Sequence, residues 1–322
     1  MSDADVDVLV AGAGLAGLTA GMFSARYGRQ TTILTGGVPG GPLLSVTKIE
    51  DYPGFPEPVA GFELCPAVQE QAAAAGAAFR MDELEGLELE GDTWIAATTS
   101  GPVRARAVIV ATGSRPRPLD VPGEEVLAGK GVSHCASCDG PLFRERVAAV
   151  IGGGDSALQE ALELAEHVGE VVVFHRGASF TAQDAYQRRV LESPRIQVRF
   201  GVVIEEILGE GAVEGVRVRT TETGDVEVVA LAAVFPCIGA VPRTAVLADV
   251  ATLDADGRVP TDGGMRTDAR GIFAAGDIRR DSAAHAVAVA GDGATAAASA
   301  HAYLDDGAWP GRAAAATERA LT

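Results

Sequence analysis

Basic residues, cysteines and long apolar runs are all in short supply in this chain, and each shortage closes off a class of function. Only 26 lysines and arginines stand against 44 aspartates and glutamates in 322 residues, a formal net charge of −18. The acidic residues are spread along the chain rather than gathered in one tail, so its field disfavours phosphate backbones and anionic membranes. Neither nucleic acid nor a membrane is expected as a partner. The surplus carboxylates read as a solubilising surface, with partners bearing basic contact faces as the alternative. No apolar run approaches about 18 residues without glycine, proline or charge, so no membrane span is expected. The start, Met1-Ser2-Asp3-Ala4-Asp5, is acidic and enters a strand directly. It lacks the basic and apolar regions of a secretory signal, and the expected location is the cytoplasm.

The four cysteines, Cys65, Cys135, Cys138 and Cys237, are too few and too unevenly spaced for a secreted disulfide framework. Only Cys135 and Cys138 are close in sequence; Cys65 and Cys237 read as small apolar core residues. Zinc would need two further ligands beside that pair, and the five histidines (134, 167, 175, 285, 301) show no ligand spacing, so no metal site is expected.

What is present is a globular composition, 47% apolar and 22% charged. The length exceeds what one hydrophobic core usually serves, so two domains are expected. A short strand over residues 7–10 runs into Gly12-Ala13-Gly14-Leu15-Ala16-Gly17, followed by a helix over 18–27 and a strand over 31–34, a β-turn-α-β unit. Residues 36–58 are rich in glycine and proline without period and read as a functional loop. An alanine-rich helix over 62–76, a small meander within 78–107 and a buried strand over 107–113 complete the first half. The pattern then restarts. Val147-Ala148-Ala149-Val150-Ile151 leads into Gly152-Gly153-Gly154-Asp155-Ser156-Ala157, a helix over 157–167 and a strand over 171–174 ending at His175-Arg176. A strand over 232–235 and Gly239 close this middle region. Gly271-Ile272-Phe273-Ala274-Ala275-Gly276-Asp277 and an alanine-rich helix over 286–303 follow, and residues 305–322 read as a frayed tail. The two glycine-rich turns thus repeat one nucleotide-binding plan 140 positions apart, from Gly12 to Gly152.

Glycines in such a turn allow a tight strand-to-helix bend and close backbone approach, so that a pyrophosphate meets the partial positive charge of a helix N-terminus. The first turn carries Gly12, Gly14 and Gly17, with Ala16 between. The acid that would hold a ribose at the end of the next strand is missing, and Thr35-Gly36 stand there instead. In the second turn Gly152, Gly154 and Ala157 form the fingerprint, alanine still permitting close helix-strand packing. After the following strand stands Arg176, suited to a ribose 2′-phosphate; its plain alternative is a surface arginine. Cys135 and Cys138 are spaced so that one turn can bring both sulfurs into bonding reach, as thiol-disulfide exchange requires. Asp139 beside them reads either as an acid-base group for a thiol or as a turn aspartate before Gly140.

The run Gly131-Val132-Ser133-His134-Cys135-Ala136-Ser137-Cys138-Asp139-Gly140, with Val150-Ile151-Gly152-Gly153-Gly154-Asp155-Ser156-Ala157, resembles the low-molecular-weight thioredoxin reductases. Gly40-Gly41, Asp51-Tyr52-Pro53-Gly54-Phe55, Ala111-Thr112-Gly113 and Phe273-Ala274-Ala275-Gly276-Asp277 extend the resemblance to about residue 304. It implies an α/β fold of two Rossmann-like three-layer nucleotide-binding domains, the second inserted in the first. The FAD domain would comprise residues 1–116 and 245–322, the NAD(P)H domain residues 117–244. FAD would meet Gly12, Gly14, Ala16, Gly17, Thr35, Gly36, Gly40, Gly41, Leu43, Asp51, Thr112, Gly113, Gly276, Asp277, His285 and Ala286. NADPH would meet Gly152, Gly154, Asp155, Ser156, Ala157, His175, Arg176 and Gly239. Electrons would reach the disulfide from FAD through Cys138, Cys135 would exchange with the disulfide of a thioredoxin-like protein or a low-molecular-weight thiol, and Asp139 would supply the proton. A homodimer is implied. So is a rotation of the inserted domain about Pro116-Arg117-Pro118 and Val241-Pro242.

The chain departs from that pattern in places. The family's His-Arg-Arg run, with another arginine four residues on, is here His175-Arg176-Gly177-Ala178-Ser179-Phe180-Thr181, two of three cations short. Each such contact contributes about 1.5–3 kcal/mol, so NADPH would be weakened, and NADH or a protein donor such as ferredoxin enters as an alternative. Pro42 stands for a usual glutamine, Asp51 for asparagine, and Ala284-His285 for Arg-Gln before the last helix. His134 beside Cys135 offers a base for a dithiol oxidase, or is a surface histidine. A flavin-binding redox sensor is the reading outside enzymology, against which the intact Cys135, Cys138 and Asp139 argue.

Overall fold

The computed structural model describes residues 4–309; most of the stretch read as a frayed tail lies outside them. Its first strand, β1 (Val6–Ala11), is buried along almost its whole length, as a central parallel strand must be. Helix α1 (Leu15–Arg26) begins immediately after Gly14, three residues ahead of the sequence reading, because Gly17 belongs to the helix and not to the turn. β2 (Thr31–Leu34), α2 (Gly61–Ala74) and β3 (Ala78–Arg80) follow. β3 is not part of a meander. It pairs in parallel with β2, Thr32 opposite Ala78 and Leu34 opposite Arg80, and extends the nucleotide-type sheet by one strand. The meander is β4 (Leu84–Glu90), β5 (Thr93–Thr98) and β6 (Val103–Val110). β6 is one continuous strand that changes partners along its length, antiparallel to β5 at its start and parallel to β1 through its apolar end.

After β7 (Ser114–Pro116) the chain enters a second compact unit, Pro116–Ala240. That unit holds the short helix α3 (Ala136–Asp139), β8 (Val147–Ile151), α4 (Asp155–Leu164), β9 (Glu170–His175), α5 (Asp184–Glu192) and β10 (Ile196–Phe200). β11 (Val202–Leu208), β12 (Gly215–Thr220) and β13 (Val226–Ala230) form an antiparallel sheet, and β14 (Ala233–Pro236) completes a parallel sheet of order β10-β9-β8-β14. The antiparallel sheet has no counterpart in the sequence reading. Its strands alternate valine and isoleucine with charged residues, and ion pairs such as Arg219–Glu205, 2.6 Å, cross its solvent-facing side.

The chain returns to the first unit along β15 (Ala240–Pro242), so residues from Val241 onward belong with those up to Arg115. There β16 (Ile272–Ala274) pairs in parallel with β6, and α6 (Ala286–Asp306) packs on α1. The glycine and alanine content of both helices has a steric cause, since a β-carbon at Gly293 would come 2.1 Å from the Ala16 carbonyl oxygen. Leu18, Ile33, Ile109, Phe273 and Ala297 form the core on that face of the sheet; Leu9, Leu34, Trp94, Val108 and Leu247 fill the other. The second unit has its own two-sided core, with Leu158, Leu164 and Phe235 on one face and Ile151, Phe174 and Val234 on the other. Among the described residues no helix is long and apolar enough to cross a membrane.

Candidate active site

Cys135 and Cys138 are joined as a disulfide, their α-carbons 5.3 Å apart. Cys135 stands in extended backbone just before α3, and the Cys138 N–H donates to its Sγ at 3.2 Å. The Asp139 N–H donates to the Cys135 carbonyl, 3.1 Å, which closes the turn and puts the aspartate next to the pair. Ser133 Oγ accepts from the Cys135 N–H at 3.2 Å, and Ser137 Oγ lies 3.4 Å from Cys135 Sγ. Cys138 is exposed and Cys135 partly buried. Between them Ala136 is fully buried, and its N–H donates to a carboxylate oxygen of Glu160 on α4. His134 Nδ1 lies 3.2 Å from the Pro236 carbonyl oxygen, where a protonated Nδ1 donates. The two other thiols are unreactive by environment: burial pushes Cys65 up to about 11 and raises Cys237 further.

The first glycine-rich turn is shaped by backbone crowding on one side and open space on the other. A β-carbon at Gly12 would stand 2.2 Å from the Ala111 carbonyl oxygen, and one at Gly17 1.8 Å from that of Gly12, whereas Gly14 has nothing within 4 Å. The N-terminus of α1, adjacent to that opening, has no side-chain cap and no acid in its first turn. Gly40 donates to the Ala13 carbonyl at 2.7 Å, which brings Gly40 and Gly41 alongside Gly14; Leu43 follows in the short 3-10 turn Gly41–Ser45. Thr112 Oγ1 donates to the Arg243 carbonyl at 2.6 Å and the Gly113 carbonyl accepts the Arg243 N–H, so this second turn is tied to the returning chain. Asp277 accepts from Ser114 Oγ at 3.4 Å through one carboxylate oxygen, while its other oxygen, Oδ1, is buried and has no partner. Burial raises its pKa. The preceding Gly276 donates to Asp292 of α6, 3.1 Å, itself paired with Arg279 at 2.7 Å. At the uncapped N-terminus of α6, where Ala286 begins the helix, His285 Nδ1 lies 3.6 Å from Asp51 Oδ2.

A carboxylate does stand near the end of β2. Thr35 and Gly36 donate to the carbonyls of Arg80 and Asp82, both 2.9 Å, which brings in the segment after β3. The Glu83 carboxylate then lies 3.6 Å from where a β-carbon on Gly36 would be, in the space that a side chain on residue 36 would occupy.

The second turn repeats the first. A β-carbon at Gly152 would stand 2.2 Å from the Cys237 carbonyl oxygen, the same clash that Gly12 avoids at Ala111. Gly154 faces only Thr181 Oγ1 at 3.8 Å, Gly239 faces nothing within 4 Å, and Ser156 is exposed. Asp155 opens α4 and accepts from the Gln183 N–H at 2.6 Å and from Gln183 Nε2 at 3.0 Å, fastening the loop after β9 to the helix start. His175 is half-buried. Its ring covers Gly153, whose β-carbon would be 2.4 Å from Nδ1, and Nε2 lies 3.0 Å from the Ser179 carbonyl, with Phe180 and Phe200 against it. Arg176 is exposed, with Gly177 and Thr181 at the positions where the pattern this chain resembles has further arginines.

Glu160, Glu83 and Asp292 are absent from the sequence reading. Two of them left a signal: Glu160 falls on the buried stripe Ala157–Ala161–Leu164 of α4, and Asp292 is the one ionisable acid in the first eighteen residues of α6.

A family model, pyridine nucleotide-disulphide oxidoreductase, matches residues 6–294. The thioredoxin reductase of Treponema pallidum is 39% identical over 303 residues, covering 94% of this chain and 98% of that one. A bifunctional thioredoxin reductase/thioredoxin of Mycobacterium leprae is 38% identical, covering 92% of this chain and 66% of its own length. Among solved structures, Lactococcus lactis thioredoxin reductase superposes with a TM-score of 0.91 at 36% identity, covering 93% of this chain and 99% of that one. The chain belongs to the FAD-dependent pyridine nucleotide-disulphide oxidoreductases, in their low-molecular-weight thioredoxin reductase branch. It is an oxidoreductase acting on sulfur groups, and its family implies FAD and a nicotinamide cofactor.

Proposed function

We propose that the protein takes electrons from NADPH and delivers them through Cys135–Cys138 to the disulfide of a thioredoxin-like protein, as a cytoplasmic homodimer. The observation that carries this is the disulfide itself, wrapped on one turn in the unit that also bears the second glycine-rich turn. The Treponema relative supports the partner class.

The first unit fits FAD: Gly14 leaves an open approach to an uncapped helix start, and the orphaned Asp277 Oδ1 needs a donor such as a ribityl hydroxyl. Glu83 is placed to accept from a ribose hydroxyl. FAD, when bound, supplies a two-electron carrier between nicotinamide and disulfide. The chain's own residues do the rest. Gly152, Gly154 and the start of α4 take the nicotinamide pyrophosphate, and Arg176 alone meets a 2′-phosphate. Two electrons and two protons convert Cys135–Cys138 to the dithiol. Cys135 passes its thiol proton to Asp139 and attacks the partner disulfide as the thiolate; that S–S bond breaks, and Asp139 hands the proton on to the departing thiolate. Cys138 then attacks Cys135 Sγ, its own proton passing to the second partner sulfur as that sulfur leaves, which releases the reduced partner and restores the disulfide.

Anaerobic titration of the FAD-loaded protein with NADPH and with NADH tests the entrance; bleaching by NADPH is expected, and failure of both removes nicotinamide. A Cys138→Ser variant tests the exit and should trap thioredoxin as a mixed disulfide at Cys135. If dithiols instead drive steady hydrogen peroxide formation without disulfide reduction, the reductase direction is wrong.

A further inference from the structure

Behind the disulfide stands an ionisable group that the exchange chemistry above does not use. Glu160 reaches from the middle of α4 to the amide of Ala136, the residue that follows Cys135 and is itself 1% exposed. A buried N–H must have an acceptor, but a neutral amide oxygen would satisfy it. A carboxylate in this place is costly unless its charge can be neutralised.

Of the groups around it, Glu163 adds to the effect of burial and the Ala136 amide opposes it. Along α4 stands Glu163, which is paired with His167 at 3.4 Å. From the segment after β14 comes the Cys237 thiol, whose ionisation the Glu160 charge opposes. From α3 and its approach come Cys135, Cys138 and Asp139, while His134 Nδ1 lies 3.2 Å from the Pro236 carbonyl oxygen. Among the described residues no lysine or arginine pairs with the carboxyl, and the Ala136 N–H is what stabilises its charged form. Burial therefore pushes its pKa up to about 7, with the Glu163 charge adding to the rise and the amide only partly offsetting it.

We propose that Glu160 is a positioning residue of the redox pair that also takes up a proton when the disulfide opens. Opening the S–S bond places negative charge on sulfur, one peptide unit from the carboxylate. Two like charges so close do not both persist in a partly dry site. Reduction above neutral pH thus consumes two electrons, one proton on one sulfur and one on the Glu160 carboxyl, leaving the other sulfur as the attacking thiolate. Closing the disulfide returns the second proton. While charged, the carboxylate opposes the thiolate; once protonated, it is a neutral hydrogen-bond partner.

This inference rests on Cys135–Cys138 being the redox pair. The FAD-loaded protein is equilibrated with mixtures of reduced and oxidised dithiothreitol at pH 6 and pH 8.5, quenched by alkylation, and the fraction of reduced Cys135–Cys138 is read by peptide mass. If the wild-type pair never cycles, the redox assignment itself fails, whatever Glu160 does. If it cycles, Glu160→Gln, which mimics the neutral acid, should match the wild type within twofold at pH 6. At pH 8.5 it should be at least threefold easier to reduce. Equal behaviour at both pH values overturns the proposal, and so does a shift of the same size at both, which marks a purely structural contact. A readout that needs no variant is the pH profile of Cys135 alkylation in the reduced wild type, which should show a second inflection near neutrality; a single-step profile counts against the role.

Discussion

His285 Nδ1 and Asp51 Oδ2 stand 3.6 Å apart at the start of α6, joining two of the positions at which this chain leaves the usual pattern of its relatives. Each substitution alone would put an ionisable group where an amide is common. Together they balance, because a carboxylate that opposes negative charge at this helix end faces a ring that can carry positive charge. Both side chains are over a third exposed, so the pair is worth only about 0.2–1 kcal/mol. A double-mutant cycle of Asp51→Asn and His285→Gln, read by thermal unfolding at low salt, should give a coupling of that size that fades at high salt.

Asp277→Ala should release FAD. Its buried Oδ1 has no protein partner, so a ligand hydroxyl there would form a bond to a charged acceptor worth about 1.5–3 kcal/mol, roughly 10- to 100-fold in affinity. Calorimetric titration of apoprotein with FAD measures it. Glu83→Gln should weaken binding by less, since that carboxylate is exposed.

Donor preference should be adjustable at one position more readily than at another. Thr181→Arg adds a cation beside the second turn from an exposed position, giving up only the Thr181 Oγ1 hydrogen bond to the Gly153 carbonyl at 3.3 Å. Gly177→Arg places a β-carbon 2.8 Å from His175 Nε2, so the ring that covers Gly153 must shift. Stopped-flow flavin reduction should show Thr181→Arg raising the NADPH over NADH preference by about tenfold, one charge-assisted contact's worth. Gly177→Arg should cost stability and gain less.

Acid should find a weak point at Asp82. Hydrogen bonds from Ser100 and Thr99 and the Arg80 guanidinium hold its carboxyl down at about 2, so its contribution is complete above the ordinary carboxylate range and is lost as pH falls through about 2. Asp82→Asn should lower the urea midpoint at pH 6 and narrow its gap to the wild type toward pH 2.

The two nucleotide turns and the cysteine pair were legible because each is local: a strand period, a run of glycines and a helix period follow one another within about thirty residues. Gly17 misled the helix boundary, since a glycine that looks like turn is there to let α1 pass over the Gly12 carbonyl. β3 is three residues long and is a strand only by virtue of its pairing with β2, which no local signal announces. Glu160, Glu83 and Asp292 acquire their meaning from contacts across the fold, Glu160 with an amide 24 positions away and Asp292 with one 16 positions away. The ring of His175 covers Gly153 because the loop after β9 bends, which no local signal announces.

The first unit is assembled from both ends of the chain, with β16 paired to β6 and α6 packed against α1. During synthesis its sheet therefore waits, its face toward α6 bare, until about residue 306 has left the ribosome, whereas Pro116–Ala240 is contiguous and can fold as soon as it emerges. The inserted unit is finished while its host is still open, and the apolar faces of α1, Leu18 among them, are what a chaperone would meet in the interval.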